Sequence, residues 1–283
     1  GLDTKKVWRS DKATGLIGIS AKRETYKNDN QKFKTFGDSS SILKDPAHFG
    51  TYALNNYSVY GSYDRKLSRA TNIIFSARED FIRSEAGDYN EFLPQIQAIT
   101  KFDEHNSAYA SVGKSFRMPT FRNLYYASSV VVPNPDLEAE HGWNYEIGYK
   151  YSENGRRLNL TAFRIDIKDQ IVAVKNLVDN KSYQTNAAKY RNTGIELRYE
   201  QDVDKHFTYN VGAVFAKPQR MYKEGQAWVD TLGRYQINGG VNYVNRDFSA
   251  ALNLSYWGNR FKNGVSSEKI TVTEISSPLL VSN

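Results

Sequence analysis

The sequence predicts an all-β protein, an antiparallel transmembrane β-barrel wall of about twelve strands. Three observations carry that reading. Stretch after stretch alternates apolar and polar residues with a period of two, as in Tyr145, Ile147, Tyr149 and Tyr151 against Asn144, Glu146, Gly148 and Lys150. The connections sort by length, turns of roughly four to six residues alternating with loops of roughly eight to twenty-four. No run of about 18 apolar residues exists, and mean hydropathy is −0.64. That excludes a helical membrane protein but not a barrel, whose alternation dilutes the apolar signal. Twenty tyrosines and four tryptophans exceed what a soluble core needs and suit interfacial aromatic girdles.

Taken in order, a first strand lies near residues 5–9, and a polar turn at 11–14 leads to a strand over 15–27. A long polar segment covers residues 28–50. Tyr57, Val59, Gly61 and Tyr63 resume the alternation, and the chain turns at 64–69. Ile73, Phe75 and Ala77 mark the next strand, before a medium loop at 84–89. Ile96, Ala98, Thr100 and Phe102 run to a tight turn at 103–106; Ala108, Ala110 and Val112 then lead to Phe116. Pro119 removes a backbone donor and ends regular pairing. A long excursion follows, held by turn-forming Pro133 and Pro135.

The rhythm continues past the 144–151 strand and a turn at 152–156. Leu158, Leu160 and Ala162 begin a strand whose alternation breaks near Phe163, a bulge or an emergence from lipid. A loop around 175–182 precedes Ile195, Leu197 and Tyr199. Tyr209, Val211 and Ala213 then oppose Asn210 and Gly212, Ile237 and Val241 repeat the pattern, and Leu252 and Leu254 oppose Asn253 and Ser255. Another apolar run begins near Pro278, and no helix-period segment of useful length is present. A soluble sandwich would also alternate, but its loops would not sort by length so regularly.

The block at Phe116 reads F-R-M-P-T, with Arg117 and Pro119 inside it. Across the excursion the chain reads N-P-D-L-E-A-E, from Asn134, Pro135, Asp136 and Leu137 to Glu140, and runs into Y-E-I-G. This resembles the barrel of TonB-dependent outer-membrane receptors, where the block usually reads close to F-R-A-P-T and N-P-D-L-K-P-E. Met118 and Ala139 are the departures. The resemblance runs on through LTAFRIDIKDQI and YRNTGIELRYE and covers most of the chain. It implies a barrel of about 22 strands with a plugged lumen. Residues 1–283 would then be part of one barrel domain, with the plug and further strands outside it. A twelve-stranded closed barrel is the rival, and it requires the strand at 5–9 to pair with the one at 248–261.

The resemblance also implies a function: active import of a scarce nutrient across the outer membrane of a diderm bacterium. The nutrient is most often a ferric siderophore, and also haem or cobalamin. Periplasmic TonB would pull on the plug, and outer-membrane lipid and lipopolysaccharide would surround the wall. No cofactor and no enzyme activity are expected. A passive porin and a soluble adhesive β-protein are the alternatives.

Candidate ligand residues are Arg117, Arg122, Tyr125 and Tyr126, because aromatic and cationic side chains in a loop can stack on or pair with an anionic iron chelate. Each has a structural alternative. Arg117 and Glu140 flank the excursion and could pair to hold its root, since a charge in a barrel wall needs a partner. Tyr125 and Tyr126 could simply pack the loop or anchor at the lipopolysaccharide level. Asn134 and Asp136 suit turn-fixing hydrogen bonds. Asn186, Tyr190, Arg191, Gly194 and Glu196 resemble the family's N-x-x-x-x-R-x-x-G-x-E stretch, in which Gly194 allows close strand approach. The histidines are His48, His105, His141 and His206, and no two have metal-ligand spacing. Haem-uptake members usually carry a histidine between the two blocks, where residues 120–132 have none.

Cysteine is absent, so disulfide, thiol and cysteine–metal chemistry are excluded. The net charge of +7 comes from interspersed lysines and arginines, not from the clustered basic stripe of a nucleic-acid binder.

Overall fold

The computed structural model describes residues 1–28, 32–33, 42–43, 50–85, 87–186, 189–265, 270–275 and 279–282. In chain order the first strands are Leu2–Arg9 (β1), Ala13–Asn28 (β2), Lys32–Phe33 (β3), Ile42–Leu43 (β4), Gly50–Lys66 (β5), Thr71–Ser84 (β6), Gly87–Lys101 (β7) and Asn106–Arg117 (β8). One helical turn, Phe121–Tyr125 (α1), precedes Val131–Val132 (β9), Glu140–Glu153 (β10) and Arg156–Lys168 (β11). There follow Ile171–Lys175 (β12), Ser182–Asn186 (β13), Lys189–Asp202 (β14), Phe207–Met221 (β15) and Val229–Asp230 (β16). The last are Tyr235–Val244 (β17), Ser249–Gly258 (β18), Arg260–Val265 (β19), Ile270–Ile275 (β20) and Leu279–Ser282 (β21).

One sheet carries the path β1-β2-β5-β6-β7-β8-β10-β11-β14-β15-β17-β18-β21, with β16 beside β15. Neighbours along that path pair antiparallel. The thirteenth member, β21, answers to the apolar run near Pro278. Among the described residues the sheet does not close, since β1 pairs only with β2 and β18 lies between β17 and β21. The closed twelve-stranded rival is thereby contradicted.

The two faces differ as the alternation demands. Ile147, Ala162, Ile195 and Phe215 follow one another across β10, β11, β14 and β15 in direct register. These and their equivalents form an apolar face with no protein against it: Ile147 is 61% exposed, Phe215 55% and Leu252 54%. An exposed apolar surface this continuous marks an interaction surface, for a membrane or for another protein. No helix among the described residues is long and apolar enough to cross a membrane. Ala213 also sits on this face but is buried, lying between Leu197 and Ile237.

The alternation break at Phe163 is not a bulge. β11 keeps one unbroken register with β10 and with β14. Phe163 stands on the polar face, while Arg164 and Asp166 stand on the apolar face and pair, Nε to Oδ2, at 2.7 Å. The strand has left the apolar band, which was the other reading.

Short turns occupy one end of the sheet, at residues 10–12, 67–70, 102–105, 154–155, 203–206 and 245–248. Four of them have four residues, as expected, and the turns at 10–12 and 154–155 are shorter. Asn154 and Gly155 both take positive φ (48° and 74°), which suits a two-residue hairpin that follows the strand twist. The opposite end carries the long connections after β2, β8, β11, β15 and β18, with one exception. The medium loop expected at 84–89 is a tight hairpin, because β6 and β7 stay paired out to Ser84 opposite Gly87. Most of the 28–50 segment, His48 included, lies outside the described residues.

Asp103 ties its turn by accepting from the side chain of Asn106 and from the backbone N–H groups of His105 (2.7 Å) and Asn106 (2.8 Å). Asp204 does the same with His206 and Phe207. The Asn106 side chain, then the His105 N–H, hold the Asp103 carboxyl below its ordinary range. The His206 and Phe207 N–H groups do so for Asp204. A depressed folded-state value stabilises the turn above the unfolded carboxylate value of about 4, and that contribution is lost as pH falls through the folded value. Amide exchange at His105 and Phe207 should therefore accelerate selectively below about pH 4. Unchanged protection there would contradict this role.

Candidate ligand mouth and its supporting loop

Pro119 ends β8, and Thr120 caps a single helical turn in a capping box: the Asn123 N–H donates to Thr120 Oγ1 (3.2 Å), and Asn123 Oδ1 accepts from the Thr120 N–H (3.0 Å). α1 folds back over the polar face and reaches the tops of β2 and β5, with β6 and β7 between them and β8. There Tyr125 stacks on Tyr52 with centroids 3.7 Å apart and planes 5° apart. Phe121 stacks on Tyr26 at 5.5 Å and 7°. Tyr26 and Tyr52 are themselves cross-strand partners, so four rings form one cluster. The Arg122 guanidinium lies 4.9 Å from the Tyr126 ring centroid and stays exposed to solvent. Burial first, then the charge of Glu85 and the neighbouring Tyr52, hold the Tyr125 phenol above its ordinary value. It is a neutral hydroxyl, buried and without a hydrogen-bond partner.

The loop beneath this cluster has its own core. Leu124, Leu137 and Ile171 are buried together with Tyr125 packed on them, in a protein with few other buried apolar side chains among the described residues. Asn134 fixes the turn, its Oδ1 accepting from the Asp136 N–H at 2.9 Å. Its own N–H donates to the Asn123 carbonyl at 3.0 Å. Asn186 bridges two loops, accepting from the Glu138 N–H and donating to the Glu138 carbonyl, both at 3.0 Å. β9 adds in parallel to the β12–β13 hairpin, so the connection after β11 is itself ordered sheet.

Arg117 and Glu140 are directly paired in register. Arg117 Nε donates to Glu140 Oε2 at 3.0 Å, a second guanidinium N–H reaches Oε1, and the Ile171 N–H donates to Oε1 at 2.7 Å. Glu140 is buried whereas the Arg117 side chain is 53% exposed. Removing the arginine strands a buried carboxylate, while removing the carboxylate charge leaves a guanidinium that water can solvate. Arg117→Met should cost about 3 kcal/mol and Glu140→Gln about 1 kcal/mol, read as loss of exchange protection in β12. The reverse order would contradict the asymmetry.

A second cluster fills a gap in the wall. The β7–β8 ladder ends at Gln95 opposite Gly113, next to Pro94, which has no N–H, while β6 stays paired through Pro94. Above it, buried Glu91 accepts from His141 (Nε2–Oε1 2.8 Å) and meets Lys114 Nζ at 3.5 Å. The β6–β7 hairpin also reaches the loop through the Tyr89 hydroxyl, which donates to the Leu137 carbonyl at 3.0 Å. No group of metal-ligating side chains occurs among the described residues.

A family model described as TonB-dependent receptor-like β-barrel matches residues 3–274. The chain belongs to this family. Its members are outer-membrane transport receptors rather than enzymes. The vitamin B12 transporter BtuB of Vibrio vulnificus (strain YJ016) is 28% identical over 148 residues, covering 48% of this chain and 23% of the transporter. A variant of the ferric enterobactin receptor PfeA of Pseudomonas aeruginosa, in complex with enterobactin, superposes with a TM-score of 0.74 at 16% identity, covering 99% of this chain and 45% of that one. The siderophore receptor PirA of Acinetobacter baumannii gives 0.70 at 14%, covering 99% and 46%. The chain spans less than half the length of these relatives.

The sheet thus presents one continuous apolar face and one polar face. The F-R-x-P-T and N-P-D-L blocks lie at the long-loop end, and His105 and His206 lie in turns at the other. Gly194 sits where a Cβ would come within 2.8 Å of the Phe163 ring and 2.6 Å of the Phe215 carbonyl, so only glycine permits this approach. Glu196 stands on the polar face directly opposite Thr161. Sequence reasoning missed Tyr26, Tyr52 and Phe121, whose partnership joins segments far apart in the chain. It also missed Glu91 and the core residues Leu124 and Ile171. Pro94 within an alternating run was the available signal for the gap.

Proposed function

We propose that this chain is part of the barrel of a longer TonB-energised outer-membrane receptor that imports an iron chelate, in the first place a ferric siderophore. The supporting observation is the mouth: stacked Tyr125 and Tyr52 beside the exposed Arg122 guanidinium and the half-buried Tyr126 ring it covers, at the long-loop end of the wall. Flat rings and a guanidinium suit an anionic, ring-bearing chelate. Arg117 has its charge committed to Glu140, so its part is to hold the loop root. A plug inside the lumen and periplasmic TonB supply the pull in this reading. Additional strands complete the wall, because an open edge in hydrocarbon leaves backbone groups unpaired at several kcal/mol each.

Similarity to a vitamin B12 transporter supports a second reading, cobalamin import. Growth of a host lacking its own receptors, carrying the full-length protein, separates the two. Rescue by defined ferric siderophores, abolished by Arg122→Ala with Tyr126→Ala, is the expected result. Rescue by cobalamin alone would replace the iron reading with the second one.

A further inference from the structure

A carboxylate stands within the apolar face. Along β6 the outward side chains are Ile73, Phe75, Ala77, Glu79 and Phe81. Glu79 has Val59 beside it on β5 and Phe92 beside it on β7, and these two are 46% and 53% exposed. Apolar side chains thus bound it on four sides. It forms no ion pair or hydrogen bond among the described residues. Its chain neighbours Arg78 and Asp80 pair with each other on the polar face at 2.9 Å. Arg83, the next outward cation along β6, meets Asp88 at 3.4 Å. Elsewhere on the apolar face Arg164 and Asp166 neutralise one another. In hydrocarbon an unpaired carboxylate at this position is costly, and it marks a functional site whose partner carries the opposite charge.

The surface beside Glu79 is a trough. Gly61 and Ala77 are direct cross-strand partners and form a low floor, with Val59, Tyr63, Phe75 and Phe92 standing around it. The trough holds about 520 Å3 and runs from Trp8 on β1 to Phe92 and Glu79. Four strand spacings of about 4.8 Å give it a length on the order of 19 Å, that of a long alkyl chain. The outward side chains along it are aliphatic or aromatic up to Glu79, so its charge lies at one end. Lys6, an outward cation of β1, stands three strands from β6. That is roughly 14 Å across the sheet, too far to pair with Glu79.

We infer that this trough binds a lipophilic primary amine from within the bilayer, its ammonium on the Glu79 carboxylate and its hydrocarbon chain over Gly61 and Ala77 toward Trp8. An ammonium donates charge-assisted hydrogen bonds to a carboxylate, and an ion pair surrounded by hydrocarbon is screened far less than one in water. The small Gly61–Ala77 pair lets a chain lie against the backbone, where larger side chains would hold it off. An anionic amphiphile would be repelled, and an uncharged one would leave Glu79 unpaired. The inference rests on the receptor reading, in which this face meets lipid.

The test uses the full-length receptor in phosphatidylcholine vesicles, with hexadecylamine brominated at its far end as probe and quenching of tryptophan fluorescence as readout. The part of the quenching lost on Trp8→Phe is the signal from the trough. In the wild type that signal should appear at roughly tenfold less probe than with hexadecanol brominated in the same way, and Glu79→Gln should remove the preference. Ala77→Leu, which raises the floor, should lower the amine signal, and Glu104→Gln in the β7–β8 turn should leave it unchanged. Heat-modifiable gel mobility reports that each variant is folded. If Glu79→Gln does not fold, Ala77→Leu must still lower the amine signal. Equal quenching by amine and alcohol in the wild type, or an undiminished preference in folded Glu79→Gln, would overturn the site. Brominated phosphatidylcholine that fails to quench Trp8 would contradict the lipid-facing wall, and the site with it. Growth on iron does not enter the readout, so a missing amine preference beside normal rescue would count against the site only.

Discussion

Leu252→Arg should destabilise the inserted receptor by about 2–4 kcal/mol, and Asn253→Arg by much less. The two residues are chain neighbours on β18 whose side chains point to opposite faces. Leu252 pairs with Val241, itself beside Tyr209, in an apolar row, and it is 54% exposed because no protein covers it. An arginine there must reach water through hydrocarbon. Asn253 lies opposite Gly240 on the lumen face, among Asn210 and other polar groups, where a cation finds water or acceptors. Urea titration of the full-length receptor in lipid vesicles measures both. Equal costs at the two positions would mean that the exposed apolar face is not the lipid face.

Leu137→Ala should cost the loop about 2–5 kcal/mol of local stability. Leu137 is 1% exposed and joins Leu124 and Ile171 in the small core under the mouth. Its backbone carbonyl also receives the Tyr89 hydroxyl, which anchors the β6–β7 hairpin and would remain. The cavity would therefore loosen α1 and the Tyr125–Tyr52 stack without unfolding the wall. Hydrogen exchange should show protection lost from α1 and β12 while β14 and β15 stay protected. Val130→Ala, at a 56% exposed loop position, should change stability by no more than about 0.5 kcal/mol. A Leu137→Ala loop as protected as the wild type would show that this cluster does not hold the mouth.

The wall was legible in the sequence because its determinant is local. A period of two, as along Tyr209, Val211 and Ala213 or Leu252 and Leu254, assigns faces without knowledge of any partner strand. The break at Phe163 was ambiguous for the same reason. One strand alone cannot distinguish a bulge from the end of the apolar band, and only the unbroken register with β10 and β14 decides it. The tight β6–β7 hairpin escaped because a polar S-E-A-G-D stretch looks like loop whether or not its flanks stay paired. The mouth was half legible. Arg122, Tyr125 and Tyr126 could be placed in a loop, but Tyr52 under Tyr125 and Tyr26 under Phe121 come from strands at the other side of two intervening hairpin members. Such contacts depend on how the excursion folds back, which Thr120, Pro119 and the buried Leu137 set together. Glu91 was hidden among the acids, since its importance comes from the gap that Pro94 opens.

Sidedness of the wall tests the receptor reading most directly. Single cysteines at Tyr126→Cys, in the mouth, and Glu104→Cys, in the β7–β8 turn, can be placed in a protein whose described chain contains no native cysteine. Intact cells producing the full-length receptor are then treated with a membrane-impermeant maleimide. Labelling at position 126 in intact cells, and at position 104 only after the outer membrane is permeabilised, is the expected result. Labelling at 104 but not at 126 in intact cells would reverse the topology and remove the mouth from the cell surface.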